Sequence, residues 1–285
     1  MQRTIPPFVS AEWLAGHLGD GLVIIDVRAE ELYAAGHIAG AISVPFGLVS
    51  AWADSGELIL ELPPVADLLA TIGGCGLTSA SRVVIVGPSP DPGAPPYAWA
   101  DAARVAATLI YGGVTNVAVL AGGHATWVAE GRSVTTEVST PTAVAYTSEV
   151  DSATWVSTEY VKQRIGVAVL VDGRDAEVYF GAFIEEVFAD MRGHIPTARC
   201  LPLVWAWEPD GTYKSDETLG AMVAGVIGSD KAREVICYCG AGGYASAWWY
   251  VLSQVLGYTD VKIYDGSMEA WVDGGNEVVA YSWTE

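Results

Sequence analysis

The most informative segment of the chain is Val235-Ile236-Cys237-Tyr238-Cys239-Gly240-Ala241-Gly242-Gly243-Tyr244-Ala245. Its β-branched and aromatic start predicts a strand, and the apolar segment from Tyr244 to Leu256 predicts a helix. The glycines between them let the backbone curl so that successive N–H groups point at the Cys239 sulfur. These donors and the helix N-terminus should favour the thiolate and lower the pKa of Cys239. The stretch therefore predicts a nucleophilic cysteine at the end of a strand.

The sequence also contains an internal duplication. Four blocks of the first half recur in the second half in the same order: residues 9–14 as 156–161, 23–28 as 169–174, 36–38 as 193–195, and 115–123 as 259–267. Self-similarity of this kind indicates two copies of one structural unit. We expect domains at residues 1–130 and 155–285, joined by a linker at 131–154 that is rich in Thr, Ser and Val.

Each half alternates short β-branched runs with helical segments, which predicts an α/β fold with a mainly parallel sheet flanked by helices. The predicted strands are Val23–Asp26, Ala41–Val44, Val83–Val86 and Val117–Leu120, then Val167–Asp172, Ala198–Pro202, Glu234–Tyr238 and Val261–Tyr264. Ligands of such sheets bind at the carboxyl ends of strands, where Cys239 stands. The matching loop of the first half, residues 87–97, has no cysteine and several prolines, which cannot donate N–H groups. Chemistry is therefore expected in the second half.

Composition narrows the class of protein. The chain has 285 residues, 51% of them hydrophobic and 17% charged, which is enough for two globular cores, and it contains no apolar run of the roughly 18 residues that a membrane span needs. A net charge of −20 argues against a nucleic-acid partner. The four cysteines lack the spacing of a zinc site or a disulfide framework. Without an apolar leader the cytoplasm is expected, and the four lysines keep a periplasmic origin with a removed signal open.

This pattern resembles the tandem rhodanese family of thiosulfate and 3-mercaptopyruvate sulfurtransferases. The residues that carry the resemblance are Asp26-Val27-Arg28, Gly36-His37-Ile38-Ala39-Gly40-Ala41, Asp172-Gly173-Arg174, Gly193-His194-Ile195-Pro196, Cys239-Gly240-Ala241-Gly242 and Tyr264-Asp265-Gly266-Ser267. The resemblance implies that Cys239 takes sulfane sulfur from a small anionic donor as a persulfide and passes it to a thiol or cyanide acceptor. It also implies that the N–H groups of Gly240, Ala241, Gly242, Gly243 and Tyr244 stabilise that sulfur, with no cofactor and no metal.

Loop chemistry separates the relatives within this fold. Phosphatases need an arginine six residues after the cysteine, where Ala245 stands. The loop is most similar to the C-G-S-G-V-T pattern of mercaptopyruvate enzymes, with Ala241 in place of the serine, and Val178 stands where those enzymes carry a substrate-binding arginine. Arg192 or Arg199 could replace that arginine. The alternative to an enzyme is a persulfide carrier or redox partner that receives sulfur from another protein and passes it to a protein acceptor.

Six other side chains have both a functional and a structural interpretation: Cys237, Asp172, Arg174, His37, His194 and Tyr244. The second thiol is either a resolving cysteine, which would make a redox pair, or a small buried strand residue. The Asp and Arg either line the cleft or pair with each other. Each histidine either faces the cleft or ties a loop, and the tyrosine either donates its hydroxyl to an anion or packs at the helix start.

Overall fold

The computed structural model describes residues 3–88, 96–184 and 192–281. The chain divides into two compact units. The first unit comprises Met1–Asp54, Leu62–Asp151 and Glu208–Tyr213, and the second comprises Ser55–Glu61, Ser152–Trp207 and Lys214–Glu285. Each unit therefore includes a short segment from the other half of the sequence. The domain boundaries at 130 and 155 stay predictions.

The first unit is built on a sheet whose described strands are all parallel, in the order β1-β5-β4-β2-β3. Its strands are β1 (Phe8–Val9), β2 (Val23–Asp26), β3 (Ile42–Ser43), β4 (Val83–Val86) and β5 (Val117–Leu120). Its helices are α1 (Ala11–His17), α2 (Glu30–Ala35), α3 (Val65–Gly74), α4 (Asp101–Tyr111) and α5 (Gly123–Ala129), and a 3₁₀ turn spans Pro96–Ala100.

The second unit repeats this plan in the strand order β6-β10-β9-β7-β8, again with parallel pairing. The strands are β6 (Trp155–Val156), β7 (Val169–Asp172), β8 (Arg199–Cys200), β9 (Val235–Tyr238) and β10 (Val261–Tyr264). The helices are α6 (Thr158–Arg164), α7 (Ala176–Tyr179), α8 (Asp216–Ile227), α9 (Gly243–Tyr250) and α10 (Ser267–Asp273). A 3₁₀ turn spans Leu203–Ala206, and a π-helical turn at Val251–Val255 continues α9.

The prediction of two α/β domains with parallel sheets is confirmed. The central strands β4 and β9 are buried along their whole length, because helices cover both faces of a parallel sheet. Their sequences are accordingly continuous apolar runs. Equivalent serines begin the first helix of each unit: Ser10 accepts from the Trp13 N–H and Ser157 from the Tyr160 N–H. Duplication therefore extends to the helix caps.

Two further predictions concern segments outside the strands. Of the predicted linker, residues 131–151 belong to the first unit, where the Val144 N–H donates to the Gly73 carbonyl at 2.9 Å. Residues 89–95 of the proline-rich loop lie outside the described residues. None of the helices within the described ranges has the length and apolar character that crossing a bilayer requires.

Candidate active site

Cys239 directly follows β9, at the carboxyl edge of the second sheet. Its strand lies between β7 and β10, so the loop it begins emerges beside the ends of both neighbours, and Tyr238 pairs in register with Asp172. Only 5% of Cys239 is exposed. The sulfur is therefore nearly enclosed rather than displayed at the surface.

The loop after Cys239 forms the predicted ring of donors, although its members differ. The backbone N–H groups of Ala245, Ala241, Gly242 and Tyr244 donate to the Cys239 sulfur, and each favours the thiolate. Ala245 lies one residue beyond the predicted range. Gly242 adopts the left-handed conformation, φ 88°, which turns the chain into α9 and suits glycine. The nest is thus made by main-chain N–H groups, three of them on alanine or glycine.

The predicted lowering of the Cys239 pKa is wrong. Burial raises this pKa, and the four N–H donors oppose burial without overcoming it. Removing the thiolate from water disfavours its charge more than the backbone dipoles favour it. In the resting protein Cys239 is therefore more fully protonated at neutral pH than an ordinary cysteine.

The carbonyl side of the loop is held by the first turn of α10. The Met268 N–H donates to the Cys239 carbonyl at 3.0 Å, and the Glu269 N–H donates to the Gly240 carbonyl at 3.1 Å. The hydroxyl of Ser267 accepts from the Cys239 N–H at 3.1 Å and donates to the Tyr264 carbonyl at 2.8 Å. Because these bonds fix the loop carbonyls on α10, the following N–H groups remain directed at the sulfur.

The first unit contains a counterpart of this arrangement without the thiol. There the His124 N–H donates to the Gly87 carbonyl at 3.3 Å, which matches the bond between Met268 and Cys239. Gly87 thus takes the position of Cys239, and Gly123 takes that of Ser267. Sequence reasoning did not predict Ser267 as a site residue. The difference between the halves could have indicated it, because the serine stands in the half that has the cysteine and glycine stands in the other.

Asp172 and Arg174 form a buried ion pair. The Arg174 guanidinium donates to both carboxylate oxygens, with 3.0 Å between Nε and Oδ1 and 2.6 Å between Nη2 and Oδ2, and also to the Gly193 carbonyl at 2.8 Å. Asp26 and Arg28 repeat this geometry, with Gly36 as the carbonyl acceptor. The pair ties the end of a strand to the GHI turn in each unit, which is a structural use of both residues.

The histidines are engaged with backbone as well. His194 Nδ1 lies 2.9 Å from the Tyr179 carbonyl and its ring stacks on the Tyr179 ring at 3.8 Å; burial lowers its pKa. In the first unit His37 is fully buried, with Nδ1 at 2.8 Å from the Tyr33 carbonyl and Nε2 at 3.0 Å from that of Glu137. Both rings therefore tie loops together.

The remaining candidate cations lie on exposed residues. Arg192 donates from Nη1 to the carbonyls of Gly181 and Ala182, and Arg199 donates to the carbonyl of Val226. Among the described residues these hydrogen bonds lead to Gly181, Ala182 and Val226, and not to the loop after Cys239. A role for either in binding a donor stays a prediction.

All four cysteines are free thiols. Cys237 is fully buried in β9, and burial raises its pKa far above the ordinary value, with the nearby Cys239 raising it further. Burial also raises the pKa of Cys75 to about 11 and that of Cys200 to about 12. Within the described residues, no group of three His, Cys, Asp or Glu side chains is placed to hold a metal ion.

Tyr244 packs at the start of α9. It is 7% exposed, and its ring meets that of Trp207 edge to face, with centroids 5.9 Å apart. A Cβ at Gly173 would lie 3.5 Å from the Tyr244 Cβ and 3.2 Å from Trp248 Cδ1. The glycine in the second D-x-R motif therefore leaves room for the aromatic side chains behind the nest.

Comparisons with known proteins find relatives over nearly the whole chain. The chain is 32% identical to the sulfur carrier protein TtuD of Thermus thermophilus, over 95% of this chain and 94% of that protein. It is 31% identical to a Saccharopolyspora erythraea protein provisionally named a thiosulfate sulfurtransferase, over 95% and 93%. A structure of an EanB variant bearing a cysteine persulfide, with ergothioneine, superposes with a TM-score of 0.83 at 22% identity, covering 97% of this chain and 71% of that one.

A family model described as the rhodanese-like domain matches twice, at residues 10–130 and 157–273. The two matches coincide with the two duplicated halves and include both D-x-R motifs and the loop after Cys239. The chain therefore belongs to the rhodanese-like family, with one such domain in each half.

Proposed function

We propose that this protein is a sulfurtransferase that carries sulfane sulfur on Cys239, with residues 155–285 as the catalytic domain and residues 1–130 as a non-catalytic one. The observation that supports the proposal is the convergence of four backbone N–H groups on one sulfur. Fixed main-chain donors stabilise negative charge without reorganising during the reaction. The same donors suit both the thiolate and the outer sulfur of a persulfide.

In the first half-reaction the Cys239 thiol loses its proton to water, and its sulfur attacks the outer sulfur of thiosulfate or the thiol sulfur of 3-mercaptopyruvate. A bond forms between the two sulfurs, and the donor's own bond to that sulfur breaks. The bonding pair leaves with sulfite when the donor is thiosulfate, or with the enolate of pyruvate when it is 3-mercaptopyruvate. In the second half-reaction a thiolate or cyanide attacks the outer sulfur and releases the Cys239 thiolate.

Intact-protein mass spectrometry tests the proposal directly. After incubation with thiosulfate or 3-mercaptopyruvate, the protein should gain one sulfur atom, and cyanide should remove it. The Cys239→Ser variant should gain none, whereas Cys75→Ser, a matched change of a buried thiol in the first unit, should gain one as the wild type does. A wild-type protein that gains no sulfur from any sulfane donor would contradict the proposal.

The type of donor follows from rates. Ala241 supplies no hydroxyl to the carbonyl of mercaptopyruvate, and Gly240 and Ala241 supply no cation to thiosulfate. Steady-state kinetics with both donors identify the preferred one. An Ala241→Ser variant should then increase turnover of 3-mercaptopyruvate more than that of thiosulfate, since only the carbonyl donor develops an enolate oxygen that the added hydroxyl can stabilise.

The name of the Thermus thermophilus relative favours a second candidate, a carrier loaded by another protein. An enzyme should saturate with a small donor and turn over repeatedly. A carrier should load efficiently only from its protein partner. Comparing multiple-turnover rates with single loading by a persulfidated cysteine desulfurase separates the two.

A redox pair of Cys237 and Cys239 is the third candidate. Thiol counting after mild oxidation should give the same number for the wild type as before oxidation, because Cys237 is buried and holds its proton strongly. Loss of two thiols in the wild type, prevented in Cys237→Ala, would establish the pair instead.

A further inference from the structure

The segment Ser55–Glu61, here named the strap, contacts the element that holds the catalytic loop. It lies between β3 and α3 in sequence, yet it belongs to the second unit. The Ile59 N–H donates to Oε2 of Glu269 at 3.0 Å, across 210 residues of sequence. A Cβ at Gly266 would lie 3.4 Å from Leu58 Cδ1. The strap therefore rests on the first turn of α10 and the residue before it.

Glu269 links the strap to the sulfur nest. Its backbone N–H donates to the Gly240 carbonyl at 3.1 Å, while its carboxylate accepts from the strap. Burial raises the pKa of this carboxyl and the Ile59 N–H lowers it, so the hydrogen bond acts on a partly desolvated group. One residue thus joins Ile59 to the loop that begins at Cys239.

The strap itself is held in a costly conformation. Leu60 has φ 61°, in the left-handed region that branched side chains rarely adopt, and its N–H donates to the Ser55 hydroxyl at 3.3 Å. Strained backbone persists only where its surroundings fix it. On the side of α10, the strap is fixed by its contacts with Glu269 and Gly266.

We propose that Glu269 is a positioning residue, which uses the strap to fix the Gly240 carbonyl and so keeps the four N–H donors of the loop aimed at the Cys239 sulfur. This inference rests on the proposed sulfurtransferase function. Loosening the strap should slow persulfide formation, because the nest would stabilise the reacting sulfur less. Binding of the sulfur donor should change little, since the bond between Ile59 and Glu269 contacts neither the Cys239 sulfur nor the donor's sulfur.

Two matched pairs of variants test the proposal. Glu269→Ala removes the acceptor and Glu269→Gln keeps one, while Ile59→Pro removes the donor and Ile59→Val keeps it. The readouts are kcat and KM for the preferred donor and hydrogen exchange of the amides of residues 241–245. We expect Glu269→Ala and Ile59→Pro to lower kcat about tenfold at nearly unchanged KM and to speed exchange, as losing one hydrogen bond to a charged group implies.

The conservative variants should behave as the wild type, and the double variant Glu269→Ala/Ile59→Pro should be no slower than either single variant, because both break one bond. Wild-type kcat and exchange in Glu269→Ala and Ile59→Pro would overturn the proposal, as would a Glu269→Gln variant as slow as Glu269→Ala. If Glu269→Ala does not fold, the two Ile59 variants decide by the same readouts. Failure of the wild type to gain sulfur would overturn the proposed function. Hydrogen exchange of the loop amides tests the role of the strap independently of that result.

Discussion

The hydroxyl of Ser267 accepts a hydrogen bond from the backbone N–H of Cys239 at 3.1 Å and donates one to the Tyr264 carbonyl at 2.8 Å. Ser267 is fully buried, so its hydroxyl is removed from water, and it has φ 49°, which strains the backbone of a residue other than glycine. This side chain connects the ends of β9 and β10 at the point where the sulfur emerges.

Two replacements of Ser267 should separate the effect of the hydroxyl from the effect of the strained backbone. Ser267→Ala leaves the Cys239 N–H buried without its acceptor and keeps the positive φ, so we expect a loss of about 2 kcal/mol in the free energy of unfolding. Ser267→Gly removes the same hydroxyl but relieves the backbone strain. Its free energy of unfolding should therefore fall by about 1 kcal/mol less than that of Ser267→Ala, after the greater entropy of glycine in the unfolded chain is included. Denaturant unfolding measures both variants. Ser253→Ala is the control, because its hydroxyl donates to the helical carbonyl of Trp249 and accepts from the Gln254 side chain, and neither partner belongs to the loop after Cys239.

Persulfide formation should slow in both Ser267 variants, since the loop is then less firmly fixed. Unfolding and sulfur transfer that match the wild type in Ser267→Ala would show that the hydroxyl does not hold the loop.

The reactivity of Cys239 should rise steeply with pH. Because burial raises its pKa above the ordinary value, the thiolate fraction should grow about tenfold for each pH unit through neutrality and continue to grow above pH 9, the ordinary value. The group then also contributes stability that is present below the unfolded pKa and lost as pH rises through the raised folded pKa. Alkylation of Cys239 by iodoacetamide, followed by peptide mass spectrometry with free cysteine as the control, measures the profile. A plateau below pH 8 would show that the four N–H donors outweigh burial.

Sequence alone predicts the strands well because buried parallel strands consist of continuous apolar runs. Val23–Asp26, Val83–Val86 and Val117–Leu120 have the predicted bounds. One edge strand of each sheet, Phe8–Val9 and Trp155–Val156, escapes prediction, because two residues are too short to show a pattern. The opposite edge strands, Ile42–Ser43 and Arg199–Cys200, are equally short but lie within longer predicted runs.

The site is predicted only where its parts are local. The nest follows from glycines next to Cys239, but the sign of its pKa shift depends on how deeply the folded chain buries the sulfur. The bond between Ile59 and Glu269 spans 210 residues and has no local pattern at all. Residues brought together by tertiary packing are therefore the part of the site that the sequence leaves open.

The two Asp–Arg pairs allow a matched test of structure against function. Asp172→Asn and Asp26→Asn each leave a buried guanidinium without its counter-charge, so each should destabilise its own unit by about 3 kcal/mol. Asp172 pairs with Tyr238, the residue before Cys239, and therefore only Asp172→Asn should also slow persulfide formation in the folded protein. Thermal unfolding and donor kinetics below the unfolding transition measure the two effects. Equal loss of transfer in both variants, or destabilisation below about 1 kcal/mol in Asp172→Asn, would contradict this assignment.

Gly173 offers the most local test of the packing behind the nest. The first unit has Val27 at the matching position, but a Cβ at Gly173 would already lie 3.2 Å from Trp248 Cδ1 and 3.5 Å from the Tyr244 Cβ. Gly173→Ala should need shifts of only a few tenths of an ångström, whereas Gly173→Val should cost about 1–3 kcal/mol by overpacking. Valine should also slow sulfur transfer, because the displaced Tyr244 supplies one of the N–H donors to Cys239. Val27→Gly is the reverse control: it should lower stability through lost burial in the first unit and leave transfer unchanged. Wild-type transfer by a folded Gly173→Val protein would show that Tyr244 can move without disturbing the nest.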